Sequence, residues 1–325
     1  MGRIELTPEE VERKYGKGLS KSYLTIVDEE QGVVEIFEKC RAKGCAEWSL
    51  INRLRSSELI KHGWIEGKTL IMRTELGKGE VRLYEGTHGL EKVEVGEDKV
   101  YTTWCSKGHS EILWCLPQAR GVIKSIYHPD EGGVRRVTVI TPKYTKLIAG
   151  VDDTGEKTET WECTLKAAFS LASDMKGLLL LAHRVFQASK DVPWKTSHNC
   201  SSVMVFAVPP WISTSDVING FIERLKKCVY SENACAVFFR GVLIPKILKN
   251  FGDAVKMGVV DELEALKLAK KLGLVVAEIT GTRGVIGAMA GIGYADRGIE
   301  CAAYSNDIAI EKVRFRCVEK KCEEC

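Results

Sequence analysis

The sequence contains no apolar run long enough to cross a membrane as a helix. Such a helix needs about 20 consecutive apolar residues. The longest candidate, GLLLLAHRVF at 177–186, is shorter and carries His183 and Arg184. The first residues, MGRIELTPEEVERKYGKG, are rich in acid and lack the apolar segment of a signal peptide. We therefore expect a cytoplasmic protein without membrane contact.

The sequence also lacks an excess of charge of one sign. Its 325 residues include 47 Lys and Arg and 44 Asp and Glu, so the formal net charge is +3. Proteins that bind nucleic acid non-specifically through charge are usually far more basic, so that class is not favoured. The net charge excludes neither small-molecule nor nucleic-acid partners. Apolar residues make up 45% of the chain, which is enough for a sizeable core in one large or two medium domains.

Cysteine, in contrast, is abundant. Twelve cysteines without an export signal predict free thiols in a reducing compartment rather than disulfides. Cys317, Cys322 and Cys325 form a C-x4-C-x2-C pattern, and a C-x2-C pair is a common half of a zinc or iron–sulfur site. A fourth ligand would come from elsewhere, for example Cys301. The alternative is a polar tail in which these cysteines are incidental.

The pattern of strands and helices differs between the two halves of the chain. The first half alternates short strands with Gly-bearing turns around one helix, which indicates a mixed α+β domain. After residue 145, strands and helices alternate more regularly, as in an α/β domain. We therefore predict an N-terminal domain at 1–145, an α/β domain at 146–310 and a Cys-containing tail at 311–325.

Apolar periodicity and turn residues also predict individual elements. Thr7 and Pro8 before a run of acids indicate the start of a short helix. Other predicted helices lie at 46–63, 109–116, 213–230 and 245–273, with a helix that becomes a strand over 163–188. Predicted strands lie at 22–28, 134–142, 145–153, 201–208, 274–279 and 299–306, and 33–40 is either a strand or the start of a helix.

Two adjacent aspartates, Asp152 and Asp153, end the apolar strand LIAGVDD. Ligands of α/β sheets bind at the carboxyl ends of strands, and Mg²⁺ prefers carboxylate and phosphate oxygens. Neighbouring residues of a strand point to opposite faces, so only one aspartate would reach an ion unless the strand kinks there. The alternative is an ordinary turn built on Asp-Thr-Gly.

The stretch VPWKTSHN at 192–199 precedes an apolar strand. Its Lys195 can place a point charge on a phosphate group, and Thr196 and Asn199 are candidate cofactor-binding residues beside it. The alternative is a solvated loop.

The stretch GTRGVIGAMAGIG at 281–293 is rich in glycine and alanine. The backbone N–H groups at the start of a helix here can bind an anion, and Arg283 adds a fork of donors. Gly281, Gly284 and Gly287 are the associated cofactor-binding candidates. The alternative is close helix packing through small residues. The stretch is not a Walker A motif, because no Gly-Lys-Ser/Thr follows the glycines.

Five motifs occur in a fixed order within residues 147–305. They are DDTG, the CT of Cys163 and Thr164, PWKTSHN, ENACAVFF and TRGVIGAMAGIG. In this order they resemble the kinase-like N-terminal domain of archaeal tRNA-isoleucine agmatidine synthetase. The resemblance implies a domain that uses ATP and Mg²⁺ to phosphorylate a carbonyl oxygen.

Roles for single residues follow from that resemblance. It implies that Asp152 and Asp153 hold Mg²⁺, that Thr164 presents a phosphorylatable hydroxyl, and that Lys195 and Arg283 contact phosphates. Phosphoryl transfer relies on positioning and charge neutralisation, which these residue types supply.

The sequence departs from the synthetase pattern at two places. The third acid of the aspartate motif is Gly155, although Glu156, Glu159 or Glu162 could replace it. The Arg-Gly of the lysine loop is Ser-His at 197–198.

The order of the two halves resembles a second family. An N-terminal region in front of a VDDT domain, with KCRAKGCAEW at 39–48, is similar to methanogenesis marker protein 11 of methanogenic archaea. That resemblance implies a role in methanogenesis and partners among methanogenic enzymes during their assembly.

These observations predict an ATP- and Mg²⁺-dependent enzyme of kinase or ligase type. Its acceptor would be a cofactor precursor, a protein amide or an RNA base. The alternative is a non-catalytic nucleotide- or metal-binding assembly factor, which the missing acid at Gly155 favours. A tRNA modifier is a weaker alternative, because no stripe of aromatic and basic residues is apparent.

Overall fold

The computed structural model describes residues 2–108, 111–155, 160–193, 195, 198–310 and 313. The chain divides into two compact units, Met1–Thr145 and Lys146–Cys325, called unit 1 and unit 2 below. Both units combine helices with a sheet, so the predicted α+β and α/β fold class is confirmed. The extent of each domain and the separate tail at 311–325 stay predictions. Cys317, Cys322 and Cys325 lie outside the described residues.

Unit 1 is dominated by strands. In chain order, its elements are β1 (Ile4–Leu6), α1 (Pro8–Tyr15), β2 (Ser20–Asp28), β3 (Val33–Cys40), α2 (Lys43–Ser56), β4 (Ile60–Glu66), β5 (Thr69–Glu75), β6 (Gly77–Lys78), β7 (His88–Val95), β8 (Lys99–Lys107), α3 (Ile112–Cys115), β9 (Lys124–Tyr127) and the first part of β10 (Val134–Asp152).

The strands of unit 1 form two groups that share β10. One group is antiparallel in the order β6-β7-β8-β10-β9-β1. The other runs β4-β5-β3-β2 and meets β10 through a short parallel pairing. Helix α2 packs against β3, β4, β5 and β7. Trp104, Tyr23 and Leu70 are among the fully buried residues of this core.

The predicted start of the first helix is confirmed. The Thr7 hydroxyl accepts a hydrogen bond from the Glu10 N–H, and the Glu10 carboxylate accepts one from the Thr7 N–H. This reciprocal capping box satisfies two N–H groups that a helix start leaves without partners.

Strand β10 joins two strands that the sequence predicts separately. It continues through Pro142 for 19 residues. Pro142 lacks an N–H, but it lies where β10 stops pairing with β8 and begins to pair with β2 at Lys143 and Tyr144. A proline is tolerated at such an interruption of the hydrogen-bonding ladder.

Unit 2 alternates helices and strands. After the last part of β10, its elements are α4 (Thr160–Asp174), β11 (Leu179–Gln187), β12 (Cys200–Val208), α5 (Thr214–Leu225), β13 (Cys235–Arg240), α6 (Lys246–Met257), α7 (Glu262–Lys271), β14 (Val275–Glu278), α8 (Val285–Gly293) and a 3-10 helix (Gly298–Ala302). The strand order is β11-β12-β10-β13-β14.

Helices cover both faces of the unit 2 sheet. Leu147, Ala149 and Val151 of β10 pack in a cluster with α4 and α5. Ile148 packs in a second cluster with α6, α7 and α8. Because side chains alternate along a strand, Gly150 and Asp152 belong to the face covered by α8.

Three element predictions are wrong in extent or type. The helix predicted at 46–63 ends at Ser56, and β4 follows. The helix predicted at 109–116 is reduced to α3 among the described residues. The strand predicted at 299–306 begins as a 3-10 helix instead, because several of its carbonyl groups turn toward the ammonium of one lysine.

That lysine is Lys256 on α6, and it is buried. Its Nζ donates to the carbonyl oxygens of Gln187, Glu300, Cys301 and Ala303. The rings of Phe186 and Tyr294 lie 4.7 and 4.6 Å from Nζ, so both can favour the cation. Burial lowers the pKa of Lys256 to about 8, so the ammonium form still predominates at pH 7.

Replacing Lys256 with Met is expected to lower the free energy of unfolding by about 2–4 kcal/mol, because buried carbonyl groups lose their donor. Urea unfolding followed by circular dichroism measures the loss. Lys246→Met, at an exposed position of the same helix, is the matched control and should change stability by less than about 0.5 kcal/mol. Equal losses in the two variants would contradict this account.

Among the described residues, no helix is long and apolar enough to cross a membrane. The cytoplasmic location stays a prediction.

Candidate functional site

The two aspartates at the end of β10 lie in the same pocket. Asp152 points to the α8 face of the sheet, as the alternation along β10 requires. Asp153 has a φ of 56°, in the left-handed region, which aspartate adopts more readily than most residues. Because the backbone turns here, side chains no longer alternate between the two faces of the sheet. Both carboxylates therefore line the pocket.

Glycines allow the first turn of α8 to approach these aspartates closely. A Cβ atom on Gly287 would overlap the Oδ2 atom of Asp152, and a Cβ on Gly284 would lie 2.8 Å from the Asp152 carbonyl oxygen. A hydrogen bond also links β12 to α8, because the Ser201 hydroxyl donates to the Gly287 carbonyl oxygen over 2.7 Å. Close packing therefore explains these two glycines, and anion binding by this helix start stays a prediction.

Arg283 provides the positive charge nearest to the aspartates in the part of the site that is described. Its Nε donates to Asp153 Oδ2 over 3.3 Å, and Asp152 Oδ1 accepts the Asp153 N–H over 2.8 Å. Burial, and then the charge of Asp153, raise the pKa of Asp152 well above its usual range. Burial also raises the pKa of Asp153, against the effect of Arg283. One guanidinium thus compensates the charge of two carboxylates only in part. The carboxylate oxygens of Asp152 and Asp153 are ligands that fit a divalent cation.

We call the cavity lined by Asp152, Asp153, Asn199, Arg283 and Gly287 the acidic pocket. Its volume is about 50 Å³, which suits an ion with a few waters rather than a whole nucleotide. The remaining wall is mostly apolar and comes from the ends of β11 and α6, the loop after α6, and α8.

Asn199 reaches the acidic pocket through an unusual backbone conformation. Its φ is 52°, and its side-chain Nδ2 donates to the Ser189 carbonyl oxygen over 2.5 Å. Its own carbonyl oxygen accepts the Ala188 N–H over 3.1 Å. These bonds hold the loop before β12 against the end of β11.

Lys195, the predicted phosphate ligand of the same loop, is placed differently. Its Nζ donates to the Lys190 carbonyl oxygen over 2.5 Å. The side chain is exposed and is not part of the acidic pocket lining. Thr196 lies outside the described residues.

Thr164, the predicted phosphorylatable residue, is buried. Its hydroxyl donates to Trp161 O over 3.0 Å or to Ser202 Oγ over 2.7 Å. Ser202 Oγ is also 2.8 Å from His183 Nε2. Thr164 does not line the acidic pocket. Neither Ser202 nor His183 is predicted as a site residue, although two adjacent serines in an apolar strand are a signal for buried hydrogen bonds.

Gly281 has a packing role that the sequence did not reveal. A Cβ there would overlap the Glu232 carbonyl oxygen and lie 2.9 Å from the Asn233 Cα. The loop before α8 therefore packs against the segment that leads into β13. Gly281 does not line the acidic pocket.

The expectation of free thiols is wrong for one pair. Cys163 and Cys228 form a disulfide with a Cα–Cα distance of 5.7 Å. Helices α4 and α5 pack together, which brings the start of α4 near the segment after α5. The other described cysteines, including buried Cys301, form no disulfide. Within the described ranges, no cluster of three or more His, Cys, Asp or Glu side chains is arranged to hold a metal ion.

Comparisons with known proteins identify distant relatives. No protein-family profile matches this chain. An uncharacterized protein of the archaeon Methanocaldococcus jannaschii is 29% identical over 284 residues, which cover 85% of this chain and 94% of the relative. Membership of the marker protein 11 family stays a prediction.

Two solved structures show a weaker likeness. TiaS, a tRNA agmatidine synthetase, in complex with an isoleucine tRNA and ATP is 24% identical with a TM-score of 0.40. A tRNA fluorescent labeling enzyme is 20% identical with a TM-score of 0.39. Each match covers 46% of this chain, and this chain spans 36% of the length of each structure. A likeness of this degree does not establish a shared activity.

Proposed function

We propose that unit 2 binds ATP with Mg²⁺ and transfers the γ-phosphoryl group to a carbonyl or amide oxygen of an acceptor. The observation that carries this proposal is the convergence of Asp152, Asp153 and Arg283 on one pocket at the end of β10. The ordered motifs DDTG, PWKTSHN and TRGVIGAMAGIG support it from the sequence. The acceptor would be a cofactor precursor, a protein or an RNA, in a maturation step linked to methanogenesis.

In the proposed reaction, the bond between the γ-phosphorus and the ADP oxygen breaks, and ADP leaves with the electron pair. A new bond joins the γ-phosphorus to the acceptor oxygen. Bound Mg²⁺ would supply positive charge to the phosphate oxygens. Asp152 and Asp153 would hold that ion, and Arg283 would donate hydrogen bonds to the transferring group. These groups act by positioning and electrostatics, as phosphoryl transfer requires.

The volume of the acidic pocket limits what it would hold. About 50 Å³ accommodates the ion and its nearest ligands, so the base and ribose would extend beyond it. Val259, which lines the acidic pocket, is also exposed, so it would offer an apolar surface to the part of the nucleotide that extends outside.

We propose that Thr164 and Lys195 also take part in the reaction. Each side chain would first have to leave its present hydrogen-bond partner. The Thr164 hydroxyl would have to leave Ser202 before it could accept a phosphoryl group. The Lys195 ammonium would have to leave the Lys190 carbonyl oxygen before it could contact a phosphate. Binding of nucleotide would drive these changes only if the new contacts are stronger.

A non-catalytic assembly factor is the second candidate. The placement of the Lys195 ammonium on its own loop and the glycine at position 155 both favour it. Such a factor would bind nucleotide or metal in the acidic pocket without turnover. Its partners would be methanogenic enzymes during assembly.

An assay of ATP binding and ADP release separates the two candidates. With Mg²⁺ present, the enzyme should bind ATP and release ADP, and Lys195→Ala should lower turnover about tenfold or more. Lys190→Ala, in the same loop, is the control, because it retains the backbone carbonyl that Lys195 contacts and should leave turnover nearly unchanged. ATP binding without turnover, equal in both variants, would reject the enzyme and support the assembly factor.

A further inference from the structure

Unit 1 contains a cavity of about 540 Å³. We call it the aromatic pocket. Its apolar lining residues include Ile4, Leu6, Tyr15, Leu113, Trp114 and Tyr127. They come from β1, the end of α1, α3 and β9, so segments distant in sequence build the cavity together. Its volume lies within the range typical of small-molecule sites, roughly 300–1,000 Å³.

The aromatic rings of this pocket are nearly parallel. The Tyr15 ring lies 6.3 Å from Trp114 with an interplanar angle of 23°, and 6.2 Å from Tyr127 with an angle of 29°. The Tyr127 hydroxyl donates to the Leu113 carbonyl oxygen over 2.9 Å, which holds that ring in place. Tyr15 is 43% exposed. Rings with a shared orientation form a platform for another planar ring.

Basic side chains border the same pocket. Lys14, Arg135 and Arg136 line it, together with one acid, Asp130. Arg136 is fixed by two hydrogen bonds to the Glu91 carboxylate, of 2.8 and 3.1 Å, so its charge is largely compensated. Lys14 has no carboxylate within ion-pair distance among the described residues, and its Nζ lies 5.2 Å from the centre of the Tyr15 ring.

The guanidinium of Arg135 is also available to an anionic ligand, although it forms an ion pair. Its Nε is 3.6 Å from Asp130 Oδ2, and both side chains are more than half exposed. Exposed pairs of this kind contribute little to stability, so an anionic ligand can displace Asp130 at small cost. Lys14 and Arg135 are therefore the donors best placed to bind an anion.

We propose that the aromatic pocket binds a nucleotide. Its base would stack on the platform of Tyr15 and Trp114, and its phosphate would be held by Lys14 and Arg135. A fatty acid would share the negative charge but would gain little from parallel rings. A sugar phosphate would lack the stacking. The nucleotide is either free or part of a single-stranded RNA, since both present a base and a phosphate.

This site is independent of the acidic pocket. All its lining residues belong to unit 1, whereas the aspartates that would hold Mg²⁺ belong to unit 2. Binding in the aromatic pocket should therefore occur in EDTA and survive Asp153→Asn. The proposed ATP site should lose its ligand under either condition, so the two proposals can fail separately.

Calorimetric titration of the full chain in EDTA tests the ligand class. AMP should bind, and adenosine and ribose 5-phosphate should each bind about tenfold more weakly, because each lacks one of the two contacts. Decanoate is the probe for a fatty-acid site. Decanoate or ribose 5-phosphate binding at least as tightly as AMP would overturn the proposal, as would loss of AMP binding in Asp153→Asn.

Variants of the pocket test its residues. Tyr15→Leu should weaken AMP binding about tenfold, and Tyr15→Phe should retain it, because only the ring is required. Tyr84→Leu is the control, since Tyr84 is exposed in unit 1 outside the pocket. Lys14→Gln should weaken AMP but not adenosine, and Lys68→Gln, at an exposed lysine of unit 1, should change neither.

An oligonucleotide then identifies the source of the base. Tighter binding of a short oligoadenylate than of AMP, lost in Tyr15→Leu, would assign the pocket to RNA. Tighter binding of AMP would assign it to a free nucleotide. AMP affinity that is the same in Tyr15→Leu, Tyr84→Leu and the wild type would reject the pocket as the binding site.

Discussion

Replacing Asp153 with Asn is expected to lower Mg²⁺-dependent ATP turnover by roughly 100- to 1,000-fold. The amide keeps the shape of the side chain but removes the negative charge that would hold the ion. Asparagine also tolerates the left-handed backbone that Asp153 adopts, so the fold should persist. The loss therefore reports on charge in the acidic pocket rather than on unfolding.

Two measurements check this expectation. Steady-state ADP release gives the change in turnover, and calorimetric titration with ATP and Mg²⁺ gives the change in binding. Asp174→Asn is the matched control, because the Asp174 carboxylate is 62% exposed and forms a surface ion pair with Arg224. Unchanged Mg²⁺-dependent turnover in Asp153→Asn would remove Asp153 from the proposed site.

Replacing Gly150 with Ala is expected to lower the free energy of unfolding by about 3 kcal/mol. A Cβ at Gly150 would overlap the Ala288 carbonyl oxygen and lie 2.7 Å from the carbonyl carbon and 3.0 Å from Ile292 Cγ1. The obstructing atoms belong mainly to the backbone of α8, which cannot rotate away as a side chain can. Strand β10 or helix α8 would have to shift.

Gly258→Ala is the matched control in the same unit. A Cβ there meets no atom within 4 Å, and its φ of 169° is extended backbone that alanine adopts. Its stability should stay within about 0.5 kcal/mol of the wild type. Urea unfolding of both variants checks the pair. A Gly150→Ala variant as stable as Gly258→Ala would show that β10 and α8 are not in rigid contact.

Much of the secondary structure could be predicted from local patterns. The alternation of unit 2 and the start of helix α5 after Ser213 are confirmed. The segment 245–273, predicted as one or two helices, forms two. These elements have strong periodicity and clear capping residues, so local preference and tertiary packing agree. Predicted boundaries are wrong where contacts with residues distant in sequence set the end or the type of an element. Examples are the end of α2 at Ser56 and the 3-10 helix that contacts Lys256.

The candidate site could be predicted only in part. Asp152, Asp153, Asn199, Arg283 and Gly287 were predicted from three stretches, and the structure brings them to one pocket. The positions of Lys195 and Thr164 depend on hydrogen bonds to Lys190 and Ser202. Partners of this kind are set by tertiary packing, so no local pattern indicates them.

The order of residues along the chain specifies which chemical groups are available: paired carboxylates at a strand end, small residues at a helix start, and a distribution of apolar residues that builds two units. The packing of the folded chain specifies which of these groups share a cavity. It placed Asp153 in the left-handed region, and both aspartates line the acidic pocket. It also assembled Tyr15, Trp114 and Tyr127 from separate segments. Local periodicity encodes the face on which a side chain lies, whereas proximity between distant segments arises from the packing of the whole core.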